Sequence, residues 1–238
     1  EPLYKRTLVI CEKALGPEHR YTALTLNNLA SLYSEMGDPA KAEPLYKRSL
    51  AIREKTLGPG HPDTAASLNN LSLHYRDIGD YAKAEPLSRR ALLIWEKALG
   101  PGHPNTAIAL NNLAFIYAAT GNYKEALPLM LRAQGIDGKV IDQVMGFTSE
   151  DQKMKFLATK QRTLDIFLTL VGLHFKDGTT LEEAFTIWLQ RKGVVLEAQK
   201  RFQDALALSD DPKVMDKSQE LARVRARLSR LIFSGPGK

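Results

Sequence analysis

The sequence predicts an all-α protein built from stacked helix hairpins and closed by a non-repeating helical extension. Three observations carry that prediction. First, the chain repeats itself every 42 residues: Leu26-Asn27-Asn28-Leu29, Leu68-Asn69-Asn70-Leu71 and Leu110-Asn111-Asn112-Leu113 stand in register, as do Gly37, Gly79 and Gly121 and Ala42, Ala84 and Ala126. A fixed period in this range marks modules too small to bury their own apolar faces, which stack to make one core. Second, apolar residues inside each unit fall at helical spacing. Third, Gly- and Pro-rich loops punctuate the units at fixed places.

The elements follow in order. Glu1 to Leu15 matches the second helix of a unit whose first helix lies outside the chain, so the sequence reads as an excised piece. In the central unit, Thr64–Ile78 places Leu68, Leu71, Ser72 and Tyr75 at i, i+3, i+4 and i+7, one helical stripe. Gly79-Asp80 ends that helix. A second helix, from about Tyr81 to Leu99, turns Ala84, Leu87, Ala91, Leu92, Ile94 and Trp95 inward. Leu99-Gly100-Pro101-Gly102 stops it, and Pro104 suits the first turn of the next helix.

After Ala126 the last repeat helix should reach about Gln134. There Gly135-Ile136-Asp137-Gly138 breaks the period, leaving a short amphipathic segment through Met145. Ser149 and Gln152 make a capping box for a helix carrying Leu157, Leu164, Ile166, Phe167 and Val171. Thr180 and Glu183 make another, for a helix with Leu181, Ala184, Phe185, Trp188 and Leu189, continuing to Val194, Val195 and Leu196. Asp211-Pro212 opens a final helix with Leu221, Val224, Leu228, Leu231 and Ile232, and Ser234-Gly235-Pro236-Gly237 reads as a linker. This extension should cap the open face of the last repeat, lead into another domain, or both. The expected division is residues 1–134 for one partial and three full repeats, and 135–238 for the extension.

The spacing Leu26, Leu29, Ala30, Tyr33, Gly37 and Ala42 resembles the tetratricopeptide repeat, and its 42-residue unit resembles the kinesin-light-chain type of that family. The resemblance implies a right-handed superhelix whose first helices line a concave face that binds protein or peptide. The order of features after the repeats resembles the region preceding a caspase-like CHAT peptidase in TPR–CHAT proteins. The residues that carry this are Ser149-Glu150, Thr163-Leu164-Asp165, Arg191-Lys192-Gly193 and Leu221–Ile232. It implies the regulatory part of a larger protease, whose catalytic domain would lie outside this chain. The alternatives are a free-standing adaptor like kinesin light chain and a peptide-sensing regulator.

Charge excludes little but locates nothing basic. The net charge is +6, and Lys and Arg exceed Asp and Glu by three both in residues 1–134 and in 135–238. The one basic run, Arg223, Arg225, Arg227 and Arg230, spreads over more than one helix face, so no nucleic-acid partner is expected. No apolar run reaches the roughly 18 residues of a membrane span, so no membrane partner is expected either. The single cysteine, Cys11, reads as a buried inert thiol, which points to a reducing, cytoplasmic setting.

Catalytic, metal and cofactor sites are not expected. No phosphate loop and no His-Glu-x-x-His occur. His19, His61 and His103 recur once per unit, so stacking holds them about one helix spacing, 8–10 Å, apart. Zinc ligands must sit about 2 Å from one centre. Each imidazole should instead bond local backbone. Cys11 with His19 has no third group to orient a nucleophile.

The concave stripe is more informative. Beside the buried motif positions run Leu24, Asn27, Ser31, Ser34 and Glu35; then Ala66, Asn69, Leu73, Arg76 and Asp77; then Ile108, Asn111, Phe115, Ala118 and Ala119. An asparagine amide donates and accepts, so a ladder of them can hold an extended peptide backbone. The expected binding residues are Asn27, Asn28, Ser31, Asn69, Asn70, Leu73, Arg76, Asn111, Asn112 and Phe115. Asn28, Asn70 and Asn112 match the family position that bonds peptide, while Asn27, Ser31, Asn69 and Leu73 lack the basic side chains of a carboxylate clamp. The competing reading gives one Asn of each pair to a neighbouring helix's backbone.

Overall fold

In the computed structural model, residues 1–147 and 150–207 are described. They form nine helices and no strand: α1 (Pro2–Ala14), α2 (Arg20–Glu35), α3 (Pro39–Leu57), α4 (Pro62–Asp77), α5 (Tyr81–Leu99), α6 (Pro104–Ala119), α7 (Tyr123–Phe147), α8 (Glu150–His174) and α9 (Gly178–Ala207). One compact unit comprises Glu1–Val140 with Thr163–Leu181; the other takes in the described residues of 141–162 and 182–207.

The hairpins of the first unit are cut by local chemistry repeated in register. Gly37, Gly79 and Gly121 adopt φ of 74°, 81° and 79°, which an L side chain tolerates poorly. The next residue's N–H then reaches back to the first-helix tyrosine carbonyl, Asp38 to Tyr33, Asp80 to Tyr75 and Asn122 to Tyr117, each at 2.8 Å. This turn satisfies carbonyls that a helix end leaves open. Asp38 and Asp80 then cap the following helix, accepting from the Lys41 and Lys83 amides at 3.2 Å. At the other end of the hairpin, the hydroxyls of Thr22, Thr64 and Thr106 donate to the carbonyls of Gly16, Gly58 and Gly100 at 2.8, 2.9 and 2.9 Å. Those bonds close the Leu-Gly-Pro loop.

The core runs along the seam between first and second helices. Leu26, Leu68 and Leu110 are fully buried, as are Ala42, Ala84 and Ala126. Leu29, Tyr33, Leu71 and Tyr75 join one cluster with Ala42, Tyr46 and Ala84. Ala65, Leu68, Trp95 and Leu110 anchor another, continued by Leu113 and Ile136. The motif tyrosines keep their hydroxyls satisfied at the seam's edge. Tyr33, Tyr75 and Tyr117 donate to Glu1, Glu43 and Glu85 at 3.0, 2.8 and 3.1 Å. Between successive second helices, Arg48–Glu12, Arg90–Glu54 and Arg132–Glu96 pair at 2.7, 2.6 and 2.5 Å. Being partly solvated, each such pair contributes at most about 1 kcal/mol.

Two expectations about the extension are corrected. The helix expected to end near Gln134 runs on as α7 through Gly135 and Gly138 to Phe147. A helix-interior glycine costs only about 0.5–1 kcal/mol relative to alanine. Burial of Ala133, Ile136 and Ile141 on the same helix outweighs that cost. The start expected at Thr180 is also displaced: the Asp177 carboxylate accepts from the Thr180 amide at 2.8 Å, and α9 begins at Gly178. A carboxylate three residues upstream is the stronger cap, so Thr180 lies inside the first turn.

Leu164, Phe167, Leu170 and Val171 of α8 are buried, and they belong to the same compact unit as the repeats. Within that unit the Tyr123 and His174 rings stack at 3.5 Å. In the second unit, Leu157 and Ala184 are buried, and Phe185 and Trp188 stack at 5.6 Å. The expected cap at Ser149, the Asp211-Pro212 helix start, the helix with Leu221–Ile232 and its arginines, and the Ser234–Gly237 linker lie outside the described residues. Among the described residues, no helix is long and apolar enough to cross a membrane.

Candidate functional site

Helices α2, α4 and α6 present the expected stripe because their motif leucines are committed to the seam. What the asparagines do there is specific. Asn70 Nδ2 donates to Asn27 Oδ1 at 3.1 Å, and Asn112 Nδ2 donates to Asn69 Oδ1 at 2.7 Å. The second Asn of one repeat thus reaches the first Asn of the repeat before it. Asn27 and Asn69 are buried, at 7% and 5% exposure, whereas Asn28, Asn70, Asn111 and Asn112 are half-buried. Each bridge joins two side chains, where a bond to neighbouring backbone was the rival expectation. Each bridge spends only the nitrogen of the second Asn, so the Asn70 oxygen stays outside the bridge, while the Asn112 oxygen accepts from Arg76 and keeps one lone pair beyond it.

The remaining expected residues divide by repeat. Ser31 is half-buried and donates to Glu35 Oε1 at 3.4 Å. Leu73 is half-buried on α4. Arg76 donates to Asp77 Oδ1 at 2.7 and 2.9 Å and to Asn112 Oδ1 at 3.4 Å. Its guanidinium also lies over the Phe115 ring, 5.0 Å from the centroid. Phe115 is 37% exposed. Arg76 therefore ties the second repeat to the third, and a ligand reaching Phe115 would meet the arginine as well.

A pocket of about 540 Å³ opens between the first two full repeats, walled by α2, α3 and α4. It gathers Ser31, Asn70 and Leu73 from the expected set, and adds two residues that the sequence reading did not single out, Tyr46 and His74. His74 is 3% exposed; its Nδ1 lies 3.1 Å from Ser34 Oγ, and its Nε2 has no partner among the described residues. The imidazole sits between the rings of Tyr46 and Tyr75, 5.6 Å from each. Burial holds His74 below its ordinary pKa, against the attraction of Glu43 and Asp77. Burial likewise raises the Tyr46 phenol, opposed by hydrogen bonds with Ser34 and Ser31. A signal for this cluster was in the repeat itself. Leu32 and Ile116 occupy the positions one period before and after His74, so a polar ring replaces an aliphatic once only.

The titratable residues elsewhere serve structure. The imidazoles of His19, His61 and His103 accept from the amides of Tyr21, Asp63 and Asn105 at 3.2, 3.1 and 3.1 Å, capping α2, α4 and α6. Among the described residues no group of three His, Cys, Asp or Glu side chains could hold a metal ion. Cys11 is half-buried, more open than an inert core thiol, with Sγ 3.8 Å from Thr25 Oγ1.

Comparison with known proteins agrees with this geometry. Residues 1–55, 41–92 and 63–137 match the family model described as tetratricopeptide repeat. Among solved structures, the chain is similar to the nearly identical TPR-like repeats of a candidate kinesin light chain from Podosopora anserina. The identity is 25% and the TM-score 0.59, covering 83% of this chain and 86% of that one. A single-substitution form of that protein gives 25% and 0.61, covering 84% and 86%. BtubC (BKLC) from P. vanneervenii, at 19% identity and TM-score 0.59 over 88% of this chain and 74% of that one, shares the fold. No curated protein matches the chain.

Proposed function

This chain belongs to the tetratricopeptide repeat family, a non-catalytic scaffold class with an all-α superhelical fold, and from that premise we propose that it binds an extended peptide along α2, α4 and α6. The observation that carries the reading is the conjunction of the two asparagine bridges with the pocket that Asn70, from the first of them, helps to line. The bridges fix Asn70 and Asn112 at a defined spacing, and Leu73 and Phe115 offer apolar contact beside them. A main chain laid along the stripe would donate to the amide oxygens while its side chains alternate between pocket and solvent. Asn27 and Asn69 act mainly by holding these partners, and Asn28, Ser31, Arg76 and Asn111 border the same track. No cofactor, nucleic acid or membrane enters this reading.

The test is selection of a displayed random dodecapeptide library on the whole chain, followed by affinity measurement on Leu73→Asp and Phe115→Asp. Binding should fall at least about tenfold in each, as expected when a charge must be buried against an apolar contact. Selected peptides that ignore both substitutions while the melting temperatures stay unchanged would place recognition elsewhere.

Two finer settings are proposed with it. Structural likeness to kinesin-light-chain-type repeats supports an adaptor. A regulatory role beside a CHAT-type peptidase has behind it only the order of features in residues 135–238, with residues 1–134 as the sensing part and a cytoplasmic location.

A further inference from the structure

The pocket between α2, α3 and α4 departs from the repeat it sits in. At the position of His74 the neighbouring repeats carry Leu32 and Ile116, and at the position of Tyr46 the following repeats carry Ser88 and Met130. An aliphatic residue in place of His74 would pack without leaving a polar atom unpaired, whereas the imidazole is 3% exposed with Nε2 unpartnered among the described residues. A buried donor or acceptor left unpaired destabilises a fold, because its lost hydration is not replaced. Packing therefore does not account for the imidazole, which stands among the residues that line the pocket.

The wall has a one-sided chemistry. Among the described residues, Glu35 and Asp77 are its only charged side chains, and no Lys or Arg lines it. Asp77 already faces Arg76, whereas Glu35 meets the Ser31 hydroxyl and no described cation. The neutral polar lining adds the hydroxyls of Ser31, Ser34 and Tyr46 and the Asn70 amide, whose nitrogen is committed to Asn27. Leu73 and the Tyr46 ring supply an apolar flank of the kind that covers a long aliphatic stem. A cation with several N–H donors is the complement to such a wall, and an anion would meet two carboxylates.

We propose that this pocket is the anchor subsite for an arginine or lysine side chain of the bound peptide, with Glu35 as the principal counter-charge and the hydroxyl cluster organised by His74 as the floor. The proposal rests on the peptide reading above and adds the chemistry of the residue that fixes register.

The experiment titrates the isotope-labelled whole chain with N-acetyl-arginine methylamide and with its norleucine and glutamate counterparts, followed by backbone amide shifts. The arginine derivative should shift Ser34, Asn70 and His74 saturably, and the other two should not. Glu35 ends α2 with its side chain exposed, so Glu35→Gln should keep the melting temperature while weakening the arginine derivative at least about fivefold. Equal shifts from norleucine, shifts confined to another surface, or an affinity indifferent to Glu35→Gln would overturn the proposal. Selected dodecapeptides separate its failure from that of the broader reading. Peptides that need Leu73 and Phe115 but carry no basic residue, and bind Glu35→Gln normally, sink the anchor alone. Peptides indifferent to Leu73 and Phe115 sink the groove.

Discussion

Asn69→Ala tests whether the asparagine ladder holds the repeats together. On the sequence alone the substitution should be almost silent for stability, because Asn69 falls on a ligand-facing stripe. The structure reverses that expectation. Asn69 is 5% exposed and accepts from Asn112 Nδ2 at 2.7 Å, across the boundary between two repeats. A net hydrogen bond contributes about 0.5–1.5 kcal/mol, and removing one partner of a buried pair costs about 1–3 kcal/mol. Asn112 is half-buried, so water can recover part of its lost bond, which places the expected cost in the lower half of that range, about 1–2 kcal/mol. For a chain of this size that corresponds to roughly 2–8 °C in melting temperature. Asn112 also accepts from Arg76, so the single substitution Asn112→Ala loses two contacts and overstates the bridge. The double-mutant cycle removes this ambiguity, because the Arg76 contribution cancels and the coupling isolates the pair. Urea unfolding of the four proteins should give a coupling of about 0.5–1.5 kcal/mol with unchanged m values. A coupling below about 0.3 kcal/mol, within the additivity expected of independent sites, would mean the two amides do not hold each other.

Leu71→Ala should cost more, about 2–5 kcal/mol in urea unfolding, because Leu71 is 3% exposed inside the seam cluster. A loss no larger than that of Asn69→Ala would contradict the assignment of the seam as the core. Acid should weaken the fold through His74. Its folded pKa lies below the ordinary histidine value, so between the two values the unfolded chain binds more protons. The stabilising contribution is complete above the unfolded pKa, about 6.5, and is lost as pH falls toward the folded value. The groups facing the ring are Ser34 and Tyr46 from α2 and α3, Tyr75 from α4, and the charges of Glu43 and Asp77. His74→Leu, which installs the residue found at Leu32, should flatten the fall in urea midpoint between pH 7 and 5. A slope unchanged by that substitution would assign the acid sensitivity to other groups.

What the sequence determined by itself is everything written at short range and repeated. The period, the helix spans, the glycines that end first helices and the buried leucine and tyrosine positions all follow from contacts within one turn or one loop. The histidines could be assigned to local backbone for the same reason: each accepts from an amide two residues on. The run of α7 through Gly135 escaped this logic, because a glycine is a stop signal only where no buried face continues beyond it. Tertiary structure alone decided the rest. Asn70 with Asn27, and Asn112 with Asn69, meet across 43 residues; His74 and Ser34 meet across 40. Helical spacing says which side of its own helix each residue occupies, but the rotation and distance between neighbouring hairpins say which side chains touch. That geometry is set by how whole seams pack, so four of the six amides on the stripe bind one another, and His74 joins the lining of a pocket.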